Sequence, residues 1–182
     1  MGLDGLAPTA PLEGDRLVLE PLRVEHADEM APLLDDATLH TFIGGEPASH
    51  EQLVKQYTRQ VEAWSGDHSE RWFNWIARER ASGHAVGYVQ ATVTEHDDRL
   101  AADVAWVIAA PQQGRGYARE AATLMTDWLR GQGIELVTAH VHPKHDASGS
   151  IARWIGLSPT DTLVDGEVRW VLSLMIMQRW SP

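Results

Sequence analysis

Gln113-Gly114-Arg115-Gly116-Tyr117-Ala118 is the stretch on which the rest of the chain turns. The apolar run from Asp103 through Val104, Ala105, Trp106, Val107, Ile108 and Ala109 leads into it. A helical period follows it, carried by Tyr117, Ala121, Leu124, Met125, Trp128 and Leu129. The order is therefore strand, glycine-bearing turn, helix. Two glycines let the backbone turn sharply and leave no side chain between its N–H groups and a ligand. The first-turn N–H groups of a helix lack intrahelical partners and lie at its positive end. Together these features make an anion site suited to phosphates.

Three phosphate-binding patterns compete for the turn. A P-loop needs Gly-Lys-Ser/Thr, but Gly116 is followed by Tyr117. A dinucleotide fingerprint needs a third glycine where Arg119 stands. A Q-x-x-G-x-A turn is satisfied in full by Gln113, Gly116 and Ala118. An ordinary strand-to-helix turn that contains glycines fits the hexapeptide equally well, so the choice rests on the remaining sequence.

The chain has 182 residues, a length that predicts one domain with a proper core. It contains no cysteine, which excludes disulfides, thiolate metal sites and cysteine nucleophiles. No secretory signal or bilayer-spanning run is visible, and the expectation is a cytoplasmic protein without membrane partners. The formal charge of −11 argues against nucleic acid and favours a cationic small molecule or a basic peptide end. Acidity that only keeps the protein soluble accounts for most of these carboxylates.

Residues 1–14, rich in Gly, Pro and Ala, predict a flexible leader ahead of a domain spanning residues 15–182. Strands are expected at residues 16–23, 71–79, 84–95, 100–109, 135–141, 160–164 and 167–177, with Asp165-Gly166 as a two-residue hairpin turn. Helices are expected at residues 24–34, at 50–64 with Ser49 as cap, from the glycine turn to about 130, and at 147–155. Residues 41–47 form a glycine-broken loop of the kind that lines a substrate mouth. This order predicts an α/β (α+β) single domain with a mixed sheet flanked by helices.

The order resembles the GNAT acetyltransferase superfamily, and several stretches are similar to its RimJ/RimL-type subgroup. Residues 16–23 (RLVLEPLR) look like that subgroup's opening strand. Residues 116–121 (GYAREA) look like its helix start, and residues 142–148 (HPKHDAS) with Gly156-Leu157 resemble its H-P-x-N-x-A-S…G-F segment. The resemblance implies a mostly antiparallel sheet and an acyl-CoA-dependent N-acyltransferase. Acetyl-CoA is the expected co-substrate, without a metal, and the acceptor an amine or peptide N-terminus. A monomer or homodimer is expected. It further implies that the pantetheine arm pairs with the strand end around Val107, Ile108 and Ala109, where a backbone N–H would polarise the carbonyl. The N–H groups from Gly114 to Ala118 would hold the pyrophosphate, with Gln113 in the turn and Arg115 or Arg119 adding charge, unless both arginines are simply solvated. His145 stands where the family has an Asn that contacts pantetheine, and it retains one hydrogen-bond donor.

Acyl transfer to an amine needs a base, and Asp103 sits where many relatives carry a strand Glu, on one face with Ala105 and Val107 by alternation. An acid at a strand edge is the plainer account of it. Glu46, in the mouth loop, is a second candidate, with a solvated loop acid as its alternative. The family's thiolate-protonating Tyr would fall at Ala152, so the resemblance passes that role to Ser148, whose other reading is a helix cap. His140, His142 and His145 have an H-x-H-x-x-H spacing, but the coenzyme motif already accounts for that segment. Trp72, Phe73 and Trp75 read as core and pocket wall. Glu46, Glu95, Asp97 and Asp98 are expected on loops bordering an acidic acceptor mouth. A GNAT-fold protein that binds CoA as a sensor or assembly partner, without transfer, is the competing function.

Overall fold

The computed structural model describes residues 2–96 and 99–173. Among these residues eight strands form one sheet: β1 (Leu12–Glu13), β2 (Leu17–Pro21), β3 (Glu70–Glu79), β4 (Ala85–His96), β5 (Arg99–Ile108), β6 (Leu136–Val141), β7 (Ser158–Val164) and β8 (Glu167–Ser173). Their spatial order is β1-β2-β3-β4-β5-β6-β8-β7, with every pairing antiparallel except β5 with β6. Five helices flank it: α1 (Ala27–Leu34), α2 (His40–Ile43), α3 (His50–Gln60), α4 (Tyr117–Gly131) and α5 (Asp146–Trp154). The mixed, mostly antiparallel sheet is the one expected.

The parallel pair exists because α4 carries the chain back over the sheet, the crossover that parallel neighbours require. α4 buries Tyr117, Ala121, Met125 and Leu129, at successive intervals of four, against a core that includes Phe73, Trp75, Val89, Val104 and Val137. On the opposite face, α1 and α3 cover a smaller core of Ala27, Met30, Leu53, Tyr57 and Ile76. Ser49 caps α3 through a reciprocal pair with Gln52. That helix ends at Gln60, four residues short of expectation, because the chain turns at Ala63 (φ 62°) and Trp64 then bridges to Arg71. Asp165 (φ 50°) and Gly166 (φ 87°) both take the left-handed conformation that a tight hairpin demands. The β8 residues expected beyond 173 lie outside the described residues.

The first fourteen residues depart from the loose leader their composition predicts. Leu6 is buried in the main core, and Leu12–Glu13 pair with β2. Trp75 Nε1 donates to the Ala10 carbonyl (2.8 Å), and Arg71 Nη1 to that of Leu3 (3.1 Å). Apolar residues spaced without a period gave no sign that long-range partners would hold them. Glu120, in the first turn of α4, fixes the next element by accepting the N–H groups of Arg16 (2.7 Å) and Leu17 (2.9 Å).

Candidate active site

The central strands part company halfway along. The parallel ladder of β5 and β6 runs through Ala101↔Leu136, Ala102↔Val137 and Asp103↔Thr138, then stops. Beyond it, Ala109 donates its N–H to the Val86 carbonyl on β4 (2.9 Å). Peptide groups alternate sides along a strand, so Val107 also faces β4, whereas Trp106 and Ile108 face the gap. Expectation assigned this edge to Val107, Ile108 and Ala109 together. Val107 and Ala109 are both corrected because their peptide groups turn to β4, where the Ala109 N–H is spent on Val86, and Trp106 is the residue missed. Gly87 helps set this geometry: a Cβ there would lie 2.1 Å from the Val107 carbonyl oxygen, so only glycine lets the end of β5 press so close to β4.

The gap widens into a groove of about 940 Å³ that reaches the glycine turn. Gly114 (φ 74°) and Gly116 (φ 82°) both sit in the left-handed region. The N–H groups of residues 114–119 find no acceptor among the described residues. Arg16 orients the turn from behind, its Nη1 donating to the Arg115 carbonyl (2.8 Å) while its guanidinium lies 5.0 Å from the Tyr117 ring centroid. Gln113 is structural as well as peripheral to the groove, since its Nε2 donates to the Ile108 carbonyl (2.9 Å). The arginines divide. Arg119 lines the groove and stacks over Trp154. Arg115 is turned away to Glu79 (3.2 Å) and Gln112 (2.6 Å) and does not line it, which corrects its expected role. Tyr117 contributes buried bulk, with its hydroxyl donated to Glu79; that bond and burial hold its phenol above the usual range.

The far wall is α5. His145 precedes its first turn and stacks on Phe42 of α2, ring centroids 4.3 Å apart. Burial, then the neighbouring His142, push the His145 imidazole below its ordinary value. It is thus a neutral ring near pH 7, able to donate one bond as expected. Ser148 lines the groove, while the N-cap position belongs to His145, so Ser148 is not the helix cap. Its hydroxyl makes no protein hydrogen bond among the described residues. Ala152, one turn on, is wholly buried in the core.

Asp103 stands where the strands part. Thr138 Oγ1 donates to its Oδ1 (3.1 Å), and His140 Nδ1 lies 3.3 Å from its Oδ2. Both acid and imidazole line the groove and remain partly open to solvent. The sequence treated His140 only as a metal candidate. Its partnership with Asp103 depends on strand register, which no local pattern reveals. The three histidines of that spacing go separate ways: His140 to Asp103, His142 accepting the Lys144 N–H, and His145 to Phe42.

On the same face a second cavity of about 210 Å³ lies beneath α1 and α3 and meets the groove at Leu39, Tyr88, Gln90 and Val107. Glu46 lines this cavity and not the groove, so it stands apart from Asp103. Glu95 does not border it. It lies five residues from Gln90, the nearest residue of β4 that lines the cavity, roughly 17 Å at strand rise, and accepts the Leu3 N–H. The expected acidic mouth is corrected accordingly, and Asp97 and Asp98 fall outside the described residues.

The family model described as an acetyltransferase (GNAT) domain matches residues 16–158. Among solved structures, the chain is similar to spermidine N-acetyltransferase from Vibrio cholerae in complex with CoA and spermine (17% identity, 89% of this chain and 98% of that one, TM-score 0.71). It is similar also to RimL, the ribosomal L7/L12 α-N-protein acetyltransferase, in complex with coenzyme A (14% identity, 90% and 98%, TM-score 0.73). A third is AAC(6')-Ib in complex with paromomycin and acetyl-CoA (17% identity, 92% and 99%, TM-score 0.73). At such identities these likenesses carry the fold, not the acceptor.

Proposed function

This chain belongs to the GNAT acetyltransferase family, and from that premise we propose that it is a RimJ/RimL-type N-acyltransferase moving an acyl group, acetyl first, from acyl-CoA to a primary amine. The observation that supports this most is the join between two features: a β5 edge left open beyond Asp103 and six peptide N–H groups without an acceptor among the described residues at the turn that follows it. The residues fit the coenzyme. The N–H groups of residues 114–119 and the Arg119 guanidinium suit its pyrophosphate, and the Trp106 peptide groups with the Ile108 N–H offer an edge to its extended arm.

When bound, acetyl-CoA supplies the acyl group as an activated thioester. The chain must then hold that carbonyl against a donor, take a proton from the attacking ammonium and return one to the departing sulfur. The Trp106 and Ile108 N–H groups are the donors facing the gap. Asp103 and His140 form the proton-accepting pair, the carboxylate fixing the ring through Nδ1 so that Nε2 is left for the amine or an intervening water. Ser148 Oγ, unengaged in the groove, serves as the proton donor. Glu46 has a binding role, at the acceptor cavity.

A non-catalytic CoA sensor would need the groove but not this pair. Mixing the protein with acetyl-CoA and a panel of amines separates the two: thiol release that depends on the amine supports transfer, and tight binding without release overturns it.

A further inference from the structure

We infer that the acceptor is a monoamine with a compact, uncharged body bearing amide or hydroxyl groups, and that Asn74 and Gln90 select it. The inference rests on the acyltransferase reading and concerns the cavity beside the groove. Register lines up its floor: Asn74, Gln90 and Ala105 form one row across β3, β4 and β5, and Ile76, Tyr88 and Val107 form the next. Alternation puts these side chains on one face with Asp103. Ala105, the smallest of them, leaves the way open between the Asp103–His140 pair and the cavity.

The cavity's chemistry is uncharged almost throughout. The carboxamides of Asn74 and Gln90, with Gln56 and Gln60 from α3, make no hydrogen bond to protein among the described residues. Burial raises the phenols of Tyr57 and Tyr88 and keeps them neutral. Each carboxamide offers both donors and an acceptor, the complement of an amide or hydroxyl and a poor partner for a second ammonium. Glu46 is the sole carboxylate among the lining residues, and Asp103 at the mouth is already engaged by Thr138 and His140. Glu46 is exposed at the cavity's edge, so an ammonium seated among the carboxamides would lie without a counter-charge in a partly apolar enclosure, which is costly. Size agrees: about 210 Å³ corresponds to the liquid volume of roughly seven waters, enough for one compact body.

The test compares L-leucinamide and L-threoninamide with putrescine and spermidine as acceptors, with acetyl-CoA saturating, in the wild type and in Gln90→Glu. The wild type should favour the amino amides by about tenfold or more in kcat/KM. Gln90→Glu supplies the missing counter-charge and should shift the ratio toward putrescine by about tenfold, with acetyl-CoA affinity by calorimetry reporting that the variant is folded. Asn74→Asp makes the same change in the neighbouring strand should Gln90→Glu misfold. A wild type that prefers the polyamines, or folded variants that leave the ratio unmoved, overturns this inference while leaving acyl transfer standing. Transfer to no amine overturns the acyltransferase reading and this inference with it.

Discussion

Asp103 Oδ2 and His140 Nδ1 lie 3.3 Å apart across the point where β5 and β6 separate. The ladder holds as far as Asp103↔Thr138, so the acid is anchored by the last paired row while its side chain borders the opening. If the pair acts as a unit, Asp103→Asn and His140→Gln should each lower kcat/KM by about a hundredfold or more, and the double variant should be little worse than either. Steady-state kinetics across pH checks this. Additive losses would mean two independent contributions.

Ser148 lines the groove without a hydrogen-bond partner among the described residues, and if its hydroxyl is the proton donor the need for it arises only as charge develops on the departing sulfur. Ser148→Ala is expected to lower kcat several-fold while KM for acetyl-CoA stays within about twofold. Initial-rate measurements decide it, and a change confined to KM would make the hydroxyl a binding group.

The two arginines of the turn should behave differently. Arg119→Ala is expected to weaken acetyl-CoA binding by about tenfold, whereas Arg115→Ala, which loses contacts to Glu79 and Gln112, should leave affinity nearly unchanged. Calorimetric titration of both variants tests the division.

His26 supplies a pH dependence. Its ring is buried beside Glu20, and its Nδ1 accepts the Arg23 N–H (3.0 Å), which only an unprotonated nitrogen can do. Burial, partly offset by Glu20, lowers its pKa from the ordinary 6.5. The folded state therefore binds this proton less well than the unfolded one. The contribution is fully present above pH 6.5 and is lost as pH falls through the depressed folded value. Chemical denaturation at pH 7.5 and pH 5.5 should show lower stability at the acid end, and an NMR titration should place the ring below 6.5. A folded value above 6.5 would reverse the sign.

Much of this architecture was legible because local chemistry and global fold agree. Gly114 and Gly116 adopt the left-handed conformations for which they were singled out, Ser49 caps its helix, and Asp165-Gly166 closes its hairpin. What escaped the sequence depends on partners far along the chain. His140 meets Asp103 only through parallel register, Ala109 loses its N–H to Val86, and Arg115 is drawn aside by Glu79. Leu6 and Leu12 are fixed by the sheet although nothing near them has a period. Gly87 is a similar case, required by a carbonyl twenty residues on.

The most direct test follows the acyl group itself. Wild-type protein, acetyl-CoA and an amino amide are incubated together, and free thiol and acceptor mass are measured in parallel, with Gly116→Val as the comparison. A branched side chain at φ 82° strains the turn, and its Cβ would lie 3.2 Å from Arg16 Nη2, disturbing the guanidinium that orients the turn from behind. One acetyl gained by the amine is expected for each thiol released, with both signals collapsing in the variant as acetyl-CoA affinity falls. Wild-type protein that binds acetyl-CoA tightly yet leaves every amine unacetylated, or a folded Gly116→Val variant with undiminished affinity, would contradict it.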